Sequence, residues 1–218
     1  RATFRGVLFS ALNKEVFWQE NPIYNELQFS PFDMNDRNLH LYIDKLIEYQ
    51  PSYIHGYPSS LDSISEFILR HSLQSSIPKI SAALLGSEGA TERQRERISS
   101  AFSTRAFSWY GHSERVILAG ECECSSSYHH VPDYGVLEII DEASEAGVRT
   151  GERGELIGTG LRNYSMPLIR YKTGDYAKKL DNYCKCGRCW DRFGEVEGHR
   201  KQEMIIGKTG AKISLAAL

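Results

Sequence analysis

Up to Gly111 the sequence alternates short apolar runs with segments of helical periodicity; beyond it the helical signal stops. Over residues 36–49 the apolar Leu39, Ile43, Leu46 and Ile47 recur at helical spacing, and Pro51 ends the pattern. SYIHGYP reads as a short strand closing in a Gly-Tyr-Pro turn, and a second helix follows with Leu61, Ile64, Phe67 and Ile68 on one face. KISAALLG reads as a buried strand. TERQ after it fits a capping box, Thr91 as N-cap and Gln94 three residues on, opening a surface helix that carries Arg93, Arg95, Glu96 and Arg97. AFSWYG is a further strand. Such alternation predicts an α/β layer with parallel strands. After Gly111, ERVILA, YGVLEIID, GELIGTGL and PLIRYKTGDYAKKL read as successive strands between turns, which predicts an antiparallel, barrel-like β subdomain. Ligands favour strand ends and clefts between subdomains, so the junction at Tyr110 to Glu114 is the expected place for a site.

Composition narrows the function classes. Of 218 residues, 41% are hydrophobic and 25% charged, which excludes wholesale disorder, and a formal charge of −2 offers no basic field for nucleic acid. No apolar run reaches the ~18 residues of a membrane span. RATFRGVLFS has no signal-peptide pattern, and AKISLAAL breaks off after strand-like residues, so a piece of a longer, cytoplasmic protein is expected. The five cysteines fall in two groups, and in a reducing compartment they point to metal rather than disulfides. ECECSSSYHH offers Cys122, Cys124, His129 and His130; CKCGRC offers Cys184, Cys186 and Cys189. A tetrahedral Zn²⁺ takes four such S/N ligands, and spacing alone leaves the set open. RYKTGD, after the apolar MPLI, reads as a charged turn in which Asp175 serves either the turn or the hydroxyls of a ligand.

Four stretches in order carry a resemblance: LLGSEGATERQRERI (84–98), SWYGHSE (108–114), MPLIRYKTGD (166–175) and EVEGHRKQEMIIGKTGAKIS (195–214). Together they resemble the adenylate-forming superfamily of acyl-CoA synthetases, adenylation domains and luciferases, and more closely its phenylacetate–CoA ligase branch. The early ATFRG, SPFDM and IHGYPSSL look most like relatives linked to capsular polysaccharide synthesis. The resemblance implies a fragment of the large N-terminal domain: a partial α/β subdomain over 1–111, a β-rich subdomain with a cysteine knuckle over 112–197, and a hinge with the start of a C-terminal domain over 198–218.

It also implies roles. Gly86, Ser87 and Glu88 would lie against the adenine, and Tyr110 would stack on it. Gly111 would let the chain turn beneath the phosphate. His112 belongs to the same nucleotide-binding stretch, and Ser113 would offer its hydroxyl to the α-phosphate. Glu114 would be the catalytic carboxylate that holds Mg²⁺, and Asp175 would accept hydrogen bonds from both ribose hydroxyls. Relatives carry a Glu-Cys-then-His arrangement, which selects Cys122 and His129, with Cys184 and Cys186, as ligands of a structural zinc; Cys124, Cys189 and His130 are the spares. His55, Tyr57 and Ala119 are the expected walls of the acid pocket. Two features of the family are missing from this sequence, the Ser/Thr/Gly phosphate loop and the C-terminal lysine domain. Glu203 takes the place of the hinge aspartate, and His199, with Arg200 beside it, replaces a common arginine. This piece alone is therefore expected to bind nucleotide weakly and catalyse little. The implied reaction activates a small carboxylic acid with ATP as an acyl-adenylate and passes the acyl group to coenzyme A. The alternatives are transfer to an amine or carrier protein, and a noncatalytic, zinc-stabilised partner-binding module. A homodimer is among the expected assemblies.

Overall fold

The computed structural model of the chain describes residues 1–6 and 16–198, with the backbone of two further strands at 204–206 and 212–214. It divides into two compact units, Arg1–Trp109 and Tyr110–Leu218.

In the first unit β1 (Ala2–Phe4), β2 (Trp18–Asn21) and β3 (Glu26–Phe29) precede α1 (Leu39–Tyr49). Then β4 (Tyr53–Gly56) leads to α2 (Pro58–Arg70), β5 (Ala82–Leu85) to α3 (Glu92–Phe102), and β6 (Ala106–Gly111) follows, its last two residues passing into the second unit. The strand order is β2-β3-β1-β4-β5-β6. All pairs are parallel except the antiparallel edge β2–β3. The mostly parallel layer is the α/β fold expected from the alternation.

Local chemistry explains each helix boundary. α1 begins at Leu39, the first apolar residue of the 36–49 window, because residues 35–38 form a turn in which the Asn35 carbonyl accepts from the N–H groups of Asn38 and Leu39. It ends at Gln50 in left-handed backbone (φ 54°), with the Gln50 N–H on the Leu46 carbonyl and Pro51 next. The Gly-Tyr-Pro stretch is not a closing turn. Tyr57 is the N-cap of α2 and Pro58 its first residue, where a missing N–H leaves nothing unsatisfied. α3 carries the capping box read from TERQ: the Gln94 N–H donates to Thr91 Oγ1, and the Thr91 N–H to Gln94 Oε1. The first core runs through stacked rings, Phe4 on Phe29 at 4.6 Å and Phe29 on Tyr42 at 5.3 Å, with the Tyr42 hydroxyl donating to the Ser30 carbonyl. Each such aromatic contributes about 1.5–3 kcal/mol through burial.

The second unit is antiparallel. It contains β7 (Leu118–Cys122), β8 (Ser125–His130), β9 (Gly135–Ile140), β10 (Arg153–Gly160), β11 (Tyr171–Leu180) and β12 (Arg192–Glu197), in the order β7-β8-β12-β11-β10-β9. A hairpin of β13 (Met204–Ile206) and β14 (Lys212–Ser214) follows. Val116, Ile117, Leu156, Ala177 and Phe193 form its core. Register shifts in β7/β8, β10/β11 and β11/β12 bend the sheet. Two strands, SSSYHH and RFGEVE, carry too few apolar residues to announce themselves in the sequence. The strand read over PLIRYKTGDYAKKL is present from Tyr171 as β11, and of RYKTGD only Arg170 (φ 47°) belongs to a turn. The positions read as hinge, His199, Arg200 and Glu203, lie outside the described residues.

Candidate functional site

The bulge between β10 and β11 builds the first constellation. Glu155 pairs with Tyr176 and Ile157 with Lys172, so Thr173, Gly174 and Asp175 together oppose Leu156. Thr173 Oγ1 donates to the Leu156 carbonyl at 2.8 Å and accepts from the Asp175 N–H at 3.1 Å. The Gly174 N–H donates to Glu155 Oε1 at 3.1 Å, and Gly174 takes φ 73°, which suits glycine. This cradle aims the Asp175 carboxylate at the end of β6, where the Tyr110 hydroxyl donates to Oδ2 at 2.8 Å. Gly198 leaves room beside it, since a Cβ there would stand 3.2 Å from Oδ1. The Tyr110 ring packs edge-on against Phe193 at 5.6 Å. Burial, and then the Asp175 charge, push its phenol well above the ordinary range.

Just past β6, the Glu114 carboxylate is held from two sides: Oε2 by His112 Nδ1 at 3.1 Å, and Oε1 by the Tyr171 hydroxyl at 3.2 Å. Its own backbone N–H, then His112 and Tyr171, outweigh burial and lower its pKa. Ser113 is exposed and Gly111 half-buried. The structure thus brings Tyr110 to Asp175 across 65 residues of sequence, and Glu114 to Tyr171 across 57.

Gly86, Ser87 and Glu88 lie in the first unit. A Cβ at Gly86 would fall 2.2 Å from Trp109 Nε1, so glycine is needed there to admit the indole, a reason the sequence did not reveal. Ser87 is left-handed (φ 69°), and the Glu88 carboxylate accepts from the N–H and Oγ of Ser59 in the first turn of α2. Of the expected pocket walls, Ala119 is sealed in the second core. Burial, then Arg5 and Arg1, push His55 down to about 4. Tyr57 lies beside Gly6, where a Cβ would come within 3.2 Å of its hydroxyl.

The third constellation is the cysteine–histidine cluster. Cys122 ends β7, His129 lies in β8, and Cys184 and Cys186 sit in the connection from β11 to β12. Their ligand atoms all lie within 4.8 Å of one another, with Cys122 Sγ 3.7 Å from Cys184 Sγ and Cys186 Sγ 3.8 Å from His129 Nε2. Tetrahedral coordination at Zn–S and Zn–N lengths of ~2.3 and ~2.0 Å implies edges of about 3.5–3.8 Å, so the donor set fits that metal. Burial raises the Cys186 thiol, but hydrogen bonds from the Arg188 backbone and side chain, and from Cys184 and Cys122, bring it down to about 7, toward the thiolate that metals bind. Cys124 and Cys189 are exposed and stand outside the cluster; His130 is buried but also outside it.

No known protein-family profile matches the chain. It is 32% identical over 171 residues to protein CapK of Staphylococcus aureus, covering 78% of this chain and 35% of that protein. To the phenylacetate-coenzyme A ligase of Thermus thermophilus it is 27% identical over 162 residues, 73% of this chain and 36% of the ligase. The chain is phenylacetate–CoA ligase-like. Its fold agrees: it superposes on 2-hydroxyisobutyryl-CoA ligase in complex with 2-HIB-AMP and CoA with a TM-score of 0.69 at 19% identity, over 90% of this chain and 43% of that one. This phenylacetate–CoA ligase-like chain spans about a third of the length of the curated relatives it matches. Within it, sequence reasoning missed Glu155, Thr173 and Tyr171. Their signal was only an acid and two hydroxyls in strands, and their roles come from partners that a bulge and a sheet register supply.

Proposed function

We propose that the chain is the nucleotide-holding part of an ATP-dependent acid–thiol ligase. The observation that carries this reading is the Asp175 carboxylate, set in a bulge of β11 by Thr173 and met by the Tyr110 hydroxyl at the end of β6. A carboxylate offers only acceptors, which matches two ribose hydroxyls, and Tyr110 supplies an aromatic face for a base. Gly86, Ser87 and Glu88 keep the adenine-side assignment that the resemblance implies, and Gly111, His112 and Ser113 the phosphate side.

In the first half-reaction an oxygen of the acid's carboxylate bonds to the α-phosphorus of ATP and pyrophosphate leaves. In the second, a thiol sulfur bonds to the acyl carbon, the acyl–phosphate C–O bond breaks, and AMP departs with the electron pair. The thiol is that of coenzyme A, as the names of the matched ligases suggest. The chain's residues bind and orient. Glu114, its two oxygens fixed by His112 and Tyr171, is a positioned, ionised carboxylate. It would hold Mg²⁺, which neutralises phosphate charge when bound. Cys122, His129, Cys184 and Cys186 would hold a structural Zn²⁺, four protein ligands leaving no open position.

The test is acid-dependent exchange of pyrophosphate into ATP by the full-length polypeptide that carries this chain, with AMP binding measured beside it. Asp175→Ala should weaken AMP binding by about tenfold or more, the loss of hydrogen bonds to a charged group, with circular dichroism unchanged. Unaltered AMP affinity would remove the ribose assignment. Absence of exchange across a broad panel of acids would favour a noncatalytic role.

A further inference from the structure

Ser113 and Arg115, the chain neighbours of Glu114, join Tyr134, Arg162 and Asn163 in walling a cavity of about 470 Å³ in the second unit. Of the residues given to the nucleotide only Ser113, at the phosphate end, is among these walls; Tyr110, Glu114 and Asp175 are not. Three segments meet there, and the backbone ties them together. The Arg115 N–H donates to the His112 carbonyl, the Tyr134 N–H to the Val131 carbonyl, and the Leu161 N–H to the Tyr134 carbonyl. Two glycines permit the approach. A Cβ at Gly135 would fall 2.0 Å from the Val116 carbonyl oxygen, and one at Gly160 would stand 3.3 Å from Val116 Cγ1. The cavity is therefore a consequence of how β9 and β10 begin and end.

Its walls are rich in donors. Arg115 follows Glu114 in left-handed backbone (φ 57°), and its guanidinium makes no hydrogen bond or ion pair among the described residues. Arg162 is oriented by Asp133: Nε donates to the Asp133 carbonyl at 3.2 Å and Nη2 pairs with its carboxylate. Asn163 Oδ1 accepts from the Met166 N–H, which leaves its NH₂ group as the donor available to the cavity. Ser113 and Tyr134 add hydroxyls. No carboxylate is among the lining residues, so two guanidiniums against one flanking aspartate leave the cavity net positive. Guanidinium forks are matched to phosphate oxygens, and the volume lies within the ~300–1,000 Å³ of small-molecule pockets, more than a lone phosphate needs.

We propose that this cavity is an anion subsite that takes the phosphate groups of a phosphorylated acyl acceptor, the chemistry of the nucleotide end of coenzyme A. The proposal rests on the ligase reading above and specifies it: an amine acceptor would have no use for paired arginines. Adenosine 3′,5′-bisphosphate, which reproduces that end of coenzyme A without the thiol, is the probe. It is titrated calorimetrically into the full-length polypeptide and into its Arg115→Gln/Arg162→Gln variant, with AMP titrated in parallel. Both arginines are exposed, so the variant should keep its melting temperature. Bisphosphate affinity should fall by about tenfold or more in the variant, while AMP affinity stays unchanged. Three results would overturn the proposal: no bisphosphate binding by the unaltered protein, equal binding by the variant, or a matching loss of AMP affinity, which would give the cavity to the phosphates of ATP. Asp175→Ala separates the two readings, since its effect on AMP tests the ribose assignment and leaves the cavity intact.

Discussion

At the residue scale, Asp175 depends on a group that sequence alone does not single out. Glu155 is almost fully buried, and its carboxylate accepts the Gly174 N–H, one residue before the aspartate. Glu155→Ala should leave that N–H without its partner and cost about 1–3 kcal/mol, read as a lower denaturation midpoint. It should also weaken AMP binding, because the bulge that aims Asp175 loses one of its ties. Glu155→Gln keeps an acceptor oxygen and should restore most of both. A variant that loses stability but binds AMP normally would show that the cradle supports the sheet and not the site. Gly86 teaches the same lesson from the other side: its small size serves Trp109, whatever else passes near it.

At the scale of elements, the cysteine–histidine cluster joins the end of β7, the end of β8 and the β11–β12 connection. Cys184→Ser with Cys186→Ser should abolish zinc in elemental measurements on the purified polypeptide and lower its melting temperature, because a metal bound only by the folded chain stabilises it by its binding free energy. Zinc at less than stoichiometric amounts in the unaltered protein would set the metal reading aside. The helices were legible from sequence because Leu39, Ile43 and Leu46, like Leu61, Ile64 and Ile68, repeat at 3.6-residue spacing and are buried. β8 and β12 were not. Their strand state comes from pairing, β8 with β7, β12 with β11, and the two with each other, Arg192 opposite His129 and Phe193 opposite Tyr128, while Arg192 reaches back across to Ser127 Oγ at 2.8 Å.

At the scale of the whole molecule, a histidine buried in the first unit ties stability to pH. His55 is in β4, inside the first unit, where burial and then Arg5 and Arg1 hold its imidazole at about 4 against an ordinary 6.5, with Glu26 opposing. The folded state therefore binds fewer protons than the unfolded state between these values. Stability is fully present above 6.5 and is lost as pH falls towards about 4. Thermal melting followed across this window should show the decline, and His55→Gln should make it shallower; an unchanged slope would place the acid sensitivity elsewhere. Local sequence carried the alternation of strands and helices up to Gly111, the capping of α3, the change to strand alone beyond it, and the kinds of side chain available for a site. Those follow from spacing and local hydrogen bonding, which act over a few residues. Only the tertiary structure decided that Tyr110 meets Asp175, that four metal-binding side chains converge, and that Arg115 and Arg162 share a cavity. Such meetings depend on sheet register, bulges and close backbone approach between segments tens of residues apart, and no local periodicity encodes them.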